Sequence, residues 1–117
     1  MSGLSLLLAT AFGPAAGGAT SRADEAAERQ ARGLTFAKAR CSSCHGVVAN
    51  GMSPNPEAPS FEDIANRAGI TRSTLHQFLS NSHNYPAAMG FEVGGGQSTD
   101  LSDYVVTLKR PGYRPIM

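Results

Sequence analysis

Cys41, Cys44 and His45 are the residues whose types and spacing most directly imply chemistry. The two cysteines are the only ones among 117 residues. Ser42 and Ser43 separate them, and the histidine follows at once. A C-x-x-C-H run is an attachment signature for covalent haem. The spacing lets both thiols reach the two vinyl groups on one side of a porphyrin. The next residue then brings an imidazole under the iron as an axial ligand. The small serines let the turn lie close to the ring. Three other readings fit part of the run. A thioredoxin-like thiol pair expects a βαβ setting. A zinc site needs four ligands, for which His76 and His83 are the remaining imidazoles. A plain disulfide across two residues suits a secreted chain.

A low-spin electron carrier needs a ligand on the second face of the iron. Met52, Met89, His76 and His83 are the candidates. Met52 lies so near His45 in sequence that it would have to turn around the ring edge. His76 follows Leu75 within a helical pattern and is expected to be partly exposed. Met89 sits in a stretch rich in Gly and Asn that could wrap the far face and present a thioether, and we take it as the distal ligand. His83, at the start of that stretch, is its rival. Methionine also fills irregular gaps in cores, but a Gly- and Asn-rich loop is an unusual place for a core residue.

The elements that must position these groups are helical. Residues 24–40 are rich in Ala, Glu, Arg and Lys. Asp24, Glu25 and Glu28 stand at the front and Lys38 and Arg40 at the back, the order that complements the helix dipole. The spacing predicts one helix ending close to Cys41. Residues 47–59 contain Asn50-Gly51, Pro54, Pro56 and Pro59 and read as irregular. Ser60 offers an N-cap with Asp63 three residues on, and a helix over 61–68 should stop at Gly69. Thr71 can cap a third helix, with Leu75, Phe78 and Leu79 on one face. Residues 82–97 read as loop. Ser98 or Thr99 should cap a last helix in which Leu101, Tyr104, Val105 and Leu108 form the buried stripe and Pro111-Gly112 the end. No stretch alternates with period 2 for long enough to make a strand. The tail from Arg110 reads as an unstructured end more than as a partner contact.

Composition bounds the rest. There are 13 Gly and 7 Pro, no Trp, and 7% aromatic residues. The core available from side chains is therefore modest, and a buried prosthetic group would supply missing apolar volume. The formal net charge is +1, with both signs scattered. This is not the clustered basic footprint of a nucleic-acid binder. No apolar run is long enough to cross a membrane as a helix. Residues 4–12 form a short apolar run followed by small residues, which reads as a secretory signal peptide over 1–23. Both Gly17-Gly18-Ala19 and Ser21-Arg22-Ala23 fit the small-x-small cleavage rule, although no Lys or Arg precedes the run. The folded domain is then 24–117.

From Gly33 to Lys109 the chain resembles the class I mono-haem c-type cytochromes of the bacterial periplasm. The resemblance rests on Gly33, Phe36 and Ala37 ahead of CSSCHG at 41–46. It continues through Ala58-Pro59-Ser60-Phe61, His83 and Met89, and ends in DLSDYVVTL at 100–108. It implies an all-α cytochrome c fold, about four helices and long loops around one haem c. Cys41 and Cys44 would be the thioether sites, and His45 and Met89 the proximal and distal iron ligands. It further implies that the first and last helices cross beside the haem, with Gly33 and Phe36 meeting Tyr104. A proline carbonyl, from Pro59 or else Pro54 or Pro56, would hold the proximal imidazole. The family commonly has Pro after the ligand Met, whereas Gly90 follows Met89 here. The expected function is electron transfer without catalysis. Its partners would be periplasmic redox proteins, namely a dehydrogenase, an oxidase or another cytochrome. The protein would be a free carrier or the haem subunit of a dehydrogenase. The alternative is a haem with a labile sixth ligand, serving catalysis or small-molecule sensing.

Overall fold

The computed structural model describes Gly3, Ser5, residues 7–10, Gly13, residues 21–81 and residues 85–115. Most of the expected signal segment, and His83, lie outside the described residues. The fold is all-α: helices α1 (Arg22–Arg40), α2 (Phe61–Ala65), α3 (Arg72–Ser80) and α4 (Gly95–Val105), then a 3₁₀ turn, Val106–Leu108. There is no strand among the described residues, and no helix among them is long and apolar enough to cross a membrane.

Helix α1 starts two residues earlier than its composition implied. The Ser21 hydroxyl accepts from the Asp24 backbone N–H, and the Asp24 carboxylate accepts from the Ser21 N–H at 3.3 Å. This reciprocal cap satisfies two otherwise orphaned donors. Thr71 and Thr74 make the same arrangement on α3. Helix α2 stops at Ala65, short of 68. The Asn66 side-chain amide donates to the Glu62 carbonyl at 2.8 Å and to the Leu108 carbonyl at 3.1 Å, which closes the helix early. Gly69 then takes φ +80° in the turn that follows.

The largest departure is at α4. It begins at Gly95, so Gly95 and Gly96 are helical where the triple glycine reads as loop. Ser98 and Thr99 do not cap it. Their hydroxyls donate back to the Gly95 carbonyl at 2.9 and 3.0 Å. Gly94 is the N-cap, and the Gln97 side chain accepts its N–H at 3.3 Å.

Helices α1 and α4 cross at Gly33. A Cβ built there would lie 2.1 Å from the Asp100 carbonyl oxygen and 2.7 Å from Tyr104 Cβ, so only glycine permits this approach. The crossing is flanked by ion pairs: Arg29 Nε donates to Asp103 at 2.5 Å and Arg32 grips Asp100 at 2.9 and 3.1 Å. Asp103 is buried and is also paired with Arg72 of α3, so one carboxylate ties three helices. Around the crossing, Ala37, Ala65, Leu75, Leu79, Leu101 and Val105 form one core, with Phe36 packed against its edge. The described part of the tail is docked, contrary to the sequence expectation. Arg110 pairs with the buried Glu62 at 3.1 Å, its N–H donates to Asn66, and the Tyr113 hydroxyl donates to Asp63 at 2.8 Å.

Candidate functional site

The C-x-x-C-H run is a turn continuing off the end of α1. The Cys41 and Ser42 N–H groups both donate to the Ala37 carbonyl, and the Cys44 and His45 N–H groups donate to the Cys41 carbonyl at 3.2 and 2.9 Å. The Ser42 hydroxyl returns to the Lys38 carbonyl at 2.6 Å. The core places the start of this turn: Cys41 is buried, whereas Cys44 is exposed, and neither is in a disulfide. Burial pushes the Cys41 thiol up to about 11 against the opposing pull of Arg40. A thiol-exchange pair needs an accessible thiolate at neutral pH. Cys41 is too buried for that, and although Cys44 is exposed, the βαβ setting such a pair expects is absent among the described residues.

His45 is held from both sides. Its ring lies 5.4 Å from the Phe61 ring at 48°. Its Nδ1 is 2.6 Å from the Pro59 carbonyl oxygen. A carbonyl can only accept, so Nδ1 carries the proton and Nε2 presents its lone pair. Of the three nearby prolines, Pro59 therefore makes this contact. It stands just before Ser60, the N-cap whose hydroxyl accepts from the Asp63 N–H at 3.1 Å, so the start of α2 aims the carbonyl.

The intervening loop is folded tightly onto the turn. The Phe61 N–H donates to the Gly46 carbonyl at 2.8 Å, and the Asn55 N–H to the Cys44 carbonyl at 3.2 Å. Gly46 N–H donates to Ser53 Oγ at 3.0 Å. A Cβ at Gly46 would sit 2.4 Å from the Gly51 carbonyl oxygen. The buried Tyr104 hydroxyl donates to the Val47 carbonyl, so α4 reaches the same loop.

The loop bearing Met89 is built differently. The Met89 N–H donates to the Pro86 carbonyl at 2.8 Å and the Phe91 N–H to the Met89 carbonyl at 2.6 Å. Both are local turns. The loop meets the end of α1 at Phe91. The Arg40 guanidinium lies over the Phe91 ring, 5.4 Å from its centroid. The Tyr85 hydroxyl donates to the Leu79 carbonyl at the end of α3, and burial raises its pKa. Met89 is half-buried. Met52 is 80% exposed. His76 is half-buried, with Nδ1 3.0 Å from the Ser98 hydroxyl. Among the described residues no cluster of three or more His, Cys, Asp or Glu side chains is arranged to hold a metal ion.

Two thiols on one turn and an imidazole with a free Nε2 suit a porphyrin held covalently and ligated through its iron. Sequence reasoning missed the buried Asp103 and Glu62. The signal for Asp103 was present: Arg29 and Arg32 on α1 and Asp100 and Asp103 on α4 share an i, i+3 spacing, and the pairs run in opposite senses.

No protein-family profile matches the chain, and no solved structure matches it significantly. The chain is similar to a cytochrome c-552 of Bradyrhizobium diazoefficiens, with 32% identity over 92 residues. The match spans 78% of this chain and 86% of the relative. Together with the all-α frame, the crossing at Gly33 and the motif turn, that similarity shows that the chain belongs to the c-type cytochromes.

Proposed function

We propose that the protein is a class I mono-haem cytochrome that carries single electrons between redox proteins of the periplasm. One observation carries the reading. The imidazole next to the two unbridged thiols has Nδ1 committed to Pro59, which leaves Nε2 alone for a metal. When bound, the haem supplies an iron that cycles between ferrous and ferric states. Cys41 and Cys44 hold the ring through thioethers, and His45 is the proximal ligand. Met89 is the distal ligand. Its support is the contact of its loop with Arg40, together with the exposure of Met52 and the engagement of His76 by Ser98. His/Met ligation in an apolar setting favours the ferrous form relative to bis-His ligation.

With His45 and Met89 both engaged by the bound haem, partners would exchange electrons at the edge of the ring rather than at the metal. Docking of this kind is small and transient. A net charge of +1 gives little long-range steering. The partner is a dehydrogenase, an oxidase or another cytochrome. The segment 1–23 acts as the export signal that brings the chain to the compartment where haem is attached.

The test is mass spectrometry and visible spectroscopy of the protein matured with its haem-attachment machinery. One haem mass on the chain, pigment retained in acidified organic solvent, and a weak far-red charge-transfer band in the oxidised form are expected. A bare polypeptide mass overturns haem attachment. Absence of the band together with ready carbon monoxide binding by the reduced form replaces the carrier with a haem whose sixth position is open to catalysis or sensing.

A further inference from the structure

The Met89 loop hangs between two stems, the end of α3 and the start of α4, and one histidine joins them. His76 on α3 places Nδ1 3.0 Å from Ser98 Oγ on α4. Ser98 is fully buried, and its hydroxyl donates to the Gly95 carbonyl at 2.9 Å. With its one proton committed there, Ser98 Oγ accepts from His76, so the neutral imidazole carries its proton on Nδ1. The Ser80 hydroxyl, on the last residue of α3, closes the cluster at 3.2 Å from Ser98 Oγ and 3.5 Å from His76 Nε2. Gly95 is the first residue of α4, so the chain His76, Ser98, Gly95 fixes where the loop ends relative to where it begins. The same helix holds the loop at a second point: the Tyr85 hydroxyl donates to the Leu79 carbonyl, with the Phe78 and Tyr85 rings 5.9 Å apart.

We propose that His76 is a positioning residue that clasps the two stems of the Met89 loop and so keeps the thioether at the iron. It touches no cofactor. It works by holding α3 against the glycine-rich start of α4, which has no side-chain cap from Gly94 to fix it. The inference rests on Met89 as the distal ligand, and its test separates the two.

The experiment uses the holoprotein with His76→Leu, which keeps bulk but loses the donor, and His76→Asn, whose amide N–H stands close to where Nδ1–H was. Arg110→Gln serves as a control that weakens the tail contact with Glu62, away from the loop. Two quantities are read: deuterium uptake over residues 85–93, and the rate at which added imidazole replaces the native sixth ligand of the ferric haem. His76→Leu is expected to raise both by about fivefold, the worth of one net hydrogen bond. His76→Asn is expected to restore both, and Arg110→Gln to change neither. Unchanged uptake in His76→Leu, or an equal rise in Arg110→Gln, overturns the clasp. Raised uptake with an unchanged imidazole rate supports the clasp and removes Met89 from the iron.

Discussion

The two loops that face the motif differ in how their geometry is secured. The segment 46–61 is stitched to the C-x-x-C-H turn by backbone hydrogen bonds from Asn55 and Phe61, by Ser53 and by the Pro59 carbonyl. In the segment 85–93 the backbone hydrogen bonds among the described residues, Met89 to Pro86 and Phe91 to Met89, are local turns, and side chains tie the segment to α3 and to the end of α1. The first must present a carbonyl to one nitrogen at a fixed distance, and a shift of a few tenths of an ångström would loosen that bond. The second has to present one flexible thioether, which a soft support can do. Rigidity is concentrated where the angular demand is highest.

Four substitutions break or sharpen this contrast. His45→Ala should have the largest effect: no holoprotein with a normal spectrum should accumulate, as read by visible absorption of the expressed protein. Met89→Ala should leave the haem attached but abolish the far-red ferric band and lower the reduction potential. A spectrum unchanged by that substitution would move the ligand role to His83. Gly46→Ala forces a methyl against the Gly51 backbone and should cost about 1–3 kcal/mol, as overpacking does, measured from the denaturant midpoint. Gly90→Ala is its counterpart in the soft loop. Its nearest neighbour is the Ala87 carbonyl at 3.8 Å, so stability should stay within about 0.5 kcal/mol of the parent. Equal costs at Gly46 and Gly90 would mean that the two loops are not held differently.

Much of the frame was legible in the sequence because it follows from local rules. The C-x-x-C-H run, the Thr71 cap and the Ser60 cap are set by spacing alone. The close approach of Gly33 to Tyr104 was legible only through the family resemblance, since nothing local says that a helix glycine faces another helix. The start of α4 was not legible. Three glycines predict a loop by propensity, whereas Gly95 and Gly96 are helical behind the N-cap Gly94, and the burial of Ser98 against α3 offsets their poor propensity. The docked tail escaped for a related reason: Arg110 and Tyr113 look solvated until Glu62 and Asp63 are seen beside them. His76 is half-buried, in line with the partial exposure expected of it; Met52 is exposed, and His83 lies outside the described residues.

The docking of the tail on α2 has a bearing on the order in which the molecule is completed. Synthesis delivers Cys41, Cys44 and His45 long before Arg110 and Tyr113, and α2 is the element that aims Pro59 at the imidazole. Until the tail arrives, Glu62 lacks its cation and that helix lacks its outer support. A nascent chain therefore carries both thiols of the motif while Glu62 still lacks its cation, and the contacts of the tail with α2 are among the last that the fold can form.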